Sequence, residues 1–368
     1  MQRALEIAAA AAGTTRPNPN VGCVIVRDGQ VVGEGVTQPG GRPHAEAMAL
    51  EAAGAKARRA EAYVTLEPHS YHGATPACTD ALIAAGVGAV HVAIVDPNPE
   101  VSDKGVDQLR AAGIVVTVGD GQREAERVLE GYLKHRRTGT PFVIAKFAAT
   151  LDGKIAAASG DSRWVAGAEA RAWAHEFRTT IDAIMCGVNN VLLDDPQLTA
   201  RPGGVMAERQ PLRIVADSRG RTPLDAKVVG PGGATLIATT EASPMAWRAA
   251  MHANGIEVCV LPSGEDGRGD LAALMPLLGE RGVQTLLVEG GGVLHGGMFA
   301  AGLVDKVHAI IAPKIVGGSA YPAVAGPGVA RMADAVTLRE VEVVRLGDDV
   351  AFVGYVENRA NRTSVDAS

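Results

Sequence analysis

His44-Ala45-Glu46 follows Gly40-Gly41-Arg42-Pro43 and opens the apolar run Ala47-Met48-Ala49-Leu50-Glu51-Ala52-Ala53, which Gly54 closes. Proline ahead of the first turn and glycine past the last predict a helix with His44 and Glu46 at its start. The spacing is open to two readings. One is an ordinary surface pair; the other is a metal-binding histidine beside a glutamate that carries protons without touching the metal. The tripeptide alone favours the first reading, and its surroundings carry the second. A strand-like Ala62-Tyr63-Val64 runs into Thr65-Leu66-Glu67-Pro68-His69-Ser70-Tyr71-His72-Gly73-Ala74-Thr75-Pro76-Ala77-Cys78. That segment brings a second histidine and a cysteine to the start of another helix.

A length of 368 residues, at roughly 150 per domain, predicts two domains. A hydrophobic fraction of 47%, with 45 glycines and 20 prolines scattered along the chain, is that of a compact α/β protein and not a low-complexity one. The net charge of -6 lacks the basic footprint of a nucleic-acid binder, so any nucleotide handled is expected to be small and free. Met1-Gln2-Arg3-Ala4-Leu5-Glu6-Ile7 and the alanines after it read as a first helix, too interrupted for a membrane span. Cys23, Cys186 and Cys259 lie in apolar runs and are expected as buried strand residues, whereas Cys78 sits at a helix start. No disulfide framework is implied, which fits a reducing cytoplasm.

Asp28-Gly29 predicts a hairpin between Val21–Val26 and Gln30–Gly33. Later come a helix through Asp80–Ala85, a strand Val90–Val95, a helix Val106–Ala112 and a strand Ile114–Val118, an alternation that implies a layered sheet. Together with Pro17-Asn18-Pro19-Asn20-Val21-Gly22-Cys23 upstream and Asp96-Pro97-Asn98-Pro99 downstream, the His69–Cys78 segment resembles the deaminase half of the bifunctional RibD family of riboflavin biosynthesis. The resemblance implies a cytidine-deaminase-like α/β/α sandwich over residues 1–139. It implies zinc on His44, His69 and Cys78, Glu46 as the catalytic proton carrier, and Asp96 and Asn98 on the substrate. Three protein ligands leave the fourth position to water. The chain departs from the family where it has His69 for a cysteine, Thr37 and Tyr71 for histidines and Ala74 for a basic residue; His72 is a candidate substitute. Imidazole is an ordinary zinc ligand, but replacing a thiolate leaves the site one unit more positive.

Glu124–Leu133 reads as a helix, and the polar stretch Lys134-His135-Arg136-Arg137-Thr138-Gly139-Thr140-Pro141 marks a domain boundary, its basic run a solvated helix end. Beyond it, the strand Phe142-Val143-Ile144-Ala145-Lys146-Phe147-Ala148 holds one lysine, and a helix is expected over Ala168–Thr180. These stretches, with Thr150-Leu151-Asp152-Gly153-Lys154, Asp194-Asp195-Pro196-Gln197-Leu198-Thr199-Ala200-Arg201 and Leu287-Val288-Glu289-Gly290-Gly291-Gly292, resemble the reductase half of the same family. That half implies a dihydrofolate-reductase-like α/β domain over 140–358 using NADPH, with 359–368 a loose tail. By the resemblance, Ala148, Trp164, Asn190, Asp194, Ser218, Gly291, Gly292, Gly296 and Gly297 face NADPH. Ser162, Arg178, Leu198, Arg201 and Glu289 face the substrate, a small phosphorylated pyrimidine. Two arginines suit a phosphate, though either alone reads equally as a surface residue. A glycine-rich turn after a strand can cradle a phosphate, but such turns are commoner than cradles. Asp194-Asp195 reads as a turn before Pro196, since histidine or cysteine ligands are missing nearby.

Three readings follow. The first is the bifunctional enzyme: zinc-dependent hydrolytic deamination of 2,5-diamino-6-ribosylamino-4(3H)-pyrimidinone 5′-phosphate, then NADPH reduction of its ribosyl side chain. The second is a reductase whose first domain is inactive or serves another amino-heterocycle, as His69, Thr37, Tyr71 and Ala74 suggest. The third is a non-catalytic nucleotide-binding protein, against which the reductase motifs argue. Val341-Glu342-Val343-Val344 and Val350-Ala351-Phe352-Val353 fit a homo-oligomer interface or ordinary sheet packing.

Overall fold

The structure, a computed structural model, describes residues 1–73, 76–99, 101–319 and 321–357. It divides into two compact units, Met1–Gly139 and Thr140–Ser368. Ala74 and the 359–368 tail, both named above, lie outside the described residues.

The first unit runs α1 (Gln2–Ala10), β1 (Gly22–Arg27), β2 (Gln30–Val36), α2 (Ala45–Ala53), β3 (Glu61–Val64), α3 (Cys78–Ala85), β4 (Ala89–Val92), α4 (Lys104–Ala111), β5 (Val115–Val118), α5 (Gln122–Val128) and α6 (Glu130–Thr138). Its sheet has the order β2-β1-β3-β4-β5, with β1 antiparallel to both neighbours and β3, β4 and β5 parallel. Asp28 and Gly29 both take positive φ in the β1–β2 turn, the backbone that a two-residue hairpin needs to match strand twist. Helices cover both faces, α1 lying against Gly22 of β1 and α2 against Gly33 and Gly35 of β2. A Cβ on Gly33 would overlap the Ala49 carbonyl, and one on Gly35 the Ala45 carbonyl. These two glycines therefore let α2 settle onto the sheet and carry His44 and Glu46 in with it.

Two expectations are corrected here. The helix expected over Glu124–Leu133 is two, α5 and α6, because the backbone leaves helical geometry at Leu129 (φ -108°). The basic run is a helix end, as expected: α6 continues to Thr138 with His135, Arg136 and Arg137 in its last turn, where the helix dipole favours cations. Strand β4 stops at Val92, short of Val95, because the chain turns there toward Glu67. That carboxylate accepts N–H bonds from Asp96, Asp103, Gly105 and Val106 at 2.9–3.2 Å and pins the loop that carries Asp96.

The second unit comprises β6 (Phe142–Thr150), α7 (Ala168–Phe177), β7 (Ala183–Gly187), α8 (Val188–Asp194), β8 (Leu212–Ala216), β9 (Thr235–Thr239), α9 (Met245–Ala253), β10 (Glu257–Val260), α10 (Leu271–Glu280), β11 (Thr285–Glu289), α11 (Gly292–Ala300), β12 (Lys306–Ala312), β13 (Leu338–Leu346) and β14 (Asp349–Val356). Its sheet is ordered β10-β9-β8-β7-β11-β6-β12-β14-β13, parallel except for β14, which is antiparallel to both β12 and β13. Leu274, Leu278, Leu294 and Met298 of α10 and α11 pack on one face, and Val191 and Met251 of α8 and α9 on the other. Helix α7 ends at Phe177, not Thr180, because the Thr179 and Thr180 hydroxyls bond back to the Glu176 and Phe177 carbonyls. Cys23 and Cys186 are buried in strands as expected, but Cys259 is only half-buried because β10 is the sheet edge. Among the described residues no helix is long and apolar enough to cross a membrane.

Replacing Gly35 with alanine should push α2 off the sheet and cost about 1–3 kcal/mol. Thermal unfolding of the variant measures this, and an unchanged midpoint would contradict the packing argument.

Candidate active sites

In the first unit His44 is the residue before α2, and Cys78 opens α3. His44, His69 and Cys78 bring one donor atom each within 4.8 Å of one another. The Cys78 sulfur lies 3.3 Å from His44 Nδ1, and the His44 and His69 rings are 4.8 Å apart. Asn18 donates to the Gly41 carbonyl at 2.7 Å, and its amide nitrogen sits 3.4 Å from His44 Nε2, so the imidazole turns Nδ1 toward Cys78. Tetrahedral zinc with such ligands separates donors by roughly 3.3–3.7 Å, which the His44–Cys78 pair already matches.

Burial sets the electrostatics. It pushes the Cys78 thiol well up, an effect strengthened by Glu46 and by Cys23. It pulls His69 down to about 4, with His44 and His72 adding to the effect, so this imidazole is neutral and free to donate at neutral pH. Burial also raises Glu46, against the pull of its own backbone N–H and of His44. A buried thiol, the neutral His69 imidazole and the His44 imidazole converge beside a carboxyl, and this donor set fits zinc.

The departures from the family pattern are placed as follows. Thr37 is buried, and its hydroxyl accepts from the Val21 N–H at 3.1 Å, so it serves the backbone. Tyr71 packs edge-on to His69 and is 45% exposed. His72 is turned out to Asp80 at 3.1 Å. Asp96, expected on the substrate, is buried: it accepts from the Tyr132 hydroxyl at 2.9 Å and from the Asn98 N–H.

In the second unit a cleft of about 1690 Å³ opens at the strand ends. It gathers Ala148, Ser162, Trp164, Arg178, Asn190, Asp194, Leu198, Arg201, Ser218, Glu289, Gly291, Gly292 and Gly297. Gly296 does not line it; a Cβ there would overlap the Ala325 carbonyl, so this glycine serves helix packing. Gly290 and Gly291 have φ of 119° and 77°, and side chains on them would meet Asn190 at 2.7 and 2.6 Å. Asn190 thus excludes side chains at both positions, and backbone alone lines the cleft there at the start of α11, a setting that can receive an anion. Ser162 donates to Asp194 at 2.8 Å, tying the expected substrate side to the expected cofactor side.

Arg178 donates two bonds to Glu289, at 3.0 and 2.6 Å, so its guanidinium fork is already occupied by a carboxylate. Arg201 donates to Gln197 and Thr199. Sequence reasoning left two residues of this cluster unassigned. Lys146 lies 3.8 Å from Glu289, and burial pulls its ammonium down against that carboxylate; its signal was a lone cation in an apolar strand. His175 is held down to about 4 by burial and by Arg178 and Arg201, and carried no signal beyond its place in a helix.

The family description "RibD C-terminal domain" matches residues 141–352, and "Cytidine and deoxycytidylate deaminase zinc-binding region" matches residues 1–94. The riboflavin biosynthesis protein RibD of Escherichia coli (strain K12) is 42% identical over 362 residues, covering 96% of this chain and 97% of that one. The chain belongs to the RibD family. A solved RibD from Acinetobacter baumannii superposes with a TM-score of 0.88 at 36% identity, over 97% of this chain and 98% of its own. A Thermotoga maritima structure, described as a diaminohydroxyphosphoribosylaminopyrimidine deaminase and 5-amino-6-(5-phosphoribosylamino)uracil reductase, gives 0.83 at 31%, covering 97% of each. This chain is accordingly a bifunctional riboflavin-biosynthesis enzyme, with a zinc-binding deaminase domain of the cytidine-deaminase type and an NADPH-dependent reductase domain.

Glu289 gives a pH prediction. Burial alone would raise its carboxyl, but Arg178 and Lys146 bring it to about 2 from 4.5. A depressed carboxyl stabilises fully above its unfolded value, so about 3 kcal/mol should be lost as pH falls from about 4.5 to about 2. Glu289→Gln should flatten that pH dependence and, by leaving Arg178 unpaired, cost about 3–5 kcal/mol at neutral pH. Denaturant unfolding across pH measures both effects, and an unchanged pH profile in the variant would contradict the assignment.

Proposed function

We propose that the first domain hydrolyses the 2-amino group of a diamino-hydroxy-phosphoribosylaminopyrimidine, and that the second reduces the product's ribosyl side chain to ribityl. The observation that carries the reading is the convergence of His44, His69 and Cys78 with Glu46 buried against them. Those three side chains would hold zinc, which supplies the Lewis acidity that makes water acidic near neutral pH. Glu46 is the proton carrier. Burial lifts its pKa toward the range in which a carboxyl both accepts and gives protons. It takes a proton from the attacking water and returns one to the departing nitrogen, so that ammonia leaves as the ring carbonyl forms. Asn18 keeps the His44 ring aimed, and Asp96, bonded to Tyr132 and to the Asn98 N–H, fixes the loop bearing Asn98.

In the second domain NADPH supplies the hydride. The backbone of Gly290 and Gly291 and the start of α11 would hold its pyrophosphate, with Ala148, Trp164, Asn190, Asp194 and Ser218 lining the rest of the cleft. Arg201 meets the substrate phosphate, while Glu289, fixed by Arg178, orients the sugar hydroxyls. Lys146 stands beside Glu289 as the buried cation able to give a proton to the sugar ring oxygen as the ring opens. The rest is alignment, because hydride transfer needs little else from the protein.

A second reading keeps the reductase but gives the first domain another amino-heterocycle, or none. It is favoured by Thr37 being spent on the backbone and His72 on Asp80. Ammonia release separates the two. Under the first reading the full chain releases ammonia from the diaminopyrimidine, His69→Ala abolishes this, and both proteins reduce the deaminated substrate equally. Reduction by the full chain without ammonia release would establish the second reading. Arg201→Ala should raise KM for the reduction about 10-fold or more with a smaller change in kcat, the loss of a charge-assisted phosphate contact. An unchanged KM would remove Arg201 from the phosphate site.

A further inference from the structure

Nine lysines and arginines line the second-domain cleft. Lys146, Arg178, Lys227 and Arg268 are paired with carboxylates. Four more arginines donate to carbonyl, amide or hydroxyl oxygens of the protein. The ninth is Arg219. It is exposed and, among the described residues, has no hydrogen-bond or ion-pair partner.

Its position follows from the sheet order. The hydride-bearing end of a dinucleotide has to lie against Lys146 and Glu289, on β6 and β11, where the sugar is held. With its pyrophosphate at Gly290 and Gly291 beyond β11, the remaining nucleoside would extend across β7 toward β8, two strands and about 10 Å further on. Arg219 is on the segment that leaves β8, next to Ser218, whose hydroxyl accepts from the Gly269 N–H at 3.0 Å and joins this segment to the loop before α10. Of the acids of this end, Asp266 is engaged by Arg268 and Asp270 by the first N–H groups of α10, while the fully buried Asp217 accepts from Thr222 through one oxygen, its other oxygen having no hydrogen-bond partner among the described residues. What remains is one unpaired guanidinium at the adenosine end of the cleft.

We propose that Arg219 binds the 2′-phosphate of NADPH and is the residue by which this chain prefers NADPH to NADH. A phosphate dianion is the part of NADPH that NADH lacks, and the guanidinium fork matches two of its oxygens. The inference rests on the reading of the cleft as the NADPH site. Because Arg219 is exposed and unpartnered, its replacement leaves the fold intact.

The test is direct binding, with no turnover: nicotinamide fluorescence titrations of the full chain with NADPH and with NADH. Wild type should hold NADPH at least about 10-fold more tightly than NADH. Arg219→Ala should weaken NADPH by about 10- to 100-fold and leave NADH within about 2-fold, while Arg219→Lys, which keeps the charge without the fork, falls between. Unchanged NADPH affinity in Arg219→Ala, or an equal loss for both nucleotides, would overturn the assignment of Arg219 alone. A wild type that binds neither nucleotide would overturn the reading of the cleft itself.

Discussion

An ionisable group taken out of water costs several kcal/mol unless an opposite charge or a full set of hydrogen bonds meets it. Both domains are arranged around that constraint, and they answer it differently. In the second, the Glu289 carboxylate is buried at the end of a central strand and is met inside the protein by Arg178 and Lys146. In the first, the Cys78 thiol and the Glu46 carboxyl are buried beside His44 and His69, burial keeps the His69 imidazole from charging, and among the described residues no lysine or arginine pairs with them. The first site is therefore built for a cation from outside the chain, the second for a substrate and cofactor that arrive at charges already balanced.

The backbone supplies this placement through close approaches. Gly33 and Gly35 let α2 lie on the first sheet, Glu67 gathers four N–H groups to hold the loop carrying Asp96, and Gly290 and Gly291 clear the mouth of the second cleft. None of these residues does chemistry, yet each fixes the position of one that does.

Much of this was legible in the sequence, because alternating apolar runs, Asp28-Gly29 and the Gly and Pro punctuation mark local structure. The convergence of His44, His69 and Cys78 was legible as a motif, since these residues cluster in two short segments. What escaped was set by tertiary contact. Whether Arg178 points at a phosphate or a carboxylate depends on Glu289, 111 residues away. The resemblance put Gly296 among the glycines facing NADPH, but one helical turn beyond Gly292 it packs onto Ala325. Thr37, where the resemblance leads to a histidine, is bound into the fold by Val21, a contact that composition and spacing do not encode.

His69 bears most on function, because the resemblance leads to a thiolate at that position, and a neutral imidazole there would keep the donor count at three. X-ray absorption at the zinc edge, on untagged full-length protein with zinc quantified per chain, tests the account most directly. The account expects one zinc per first domain, with one sulfur near 2.3 Å and nitrogen or oxygen neighbours near 2.0–2.1 Å, roughly the ordinary zinc bond lengths. A protein without zinc, or a zinc with no sulfur ligand, would contradict it.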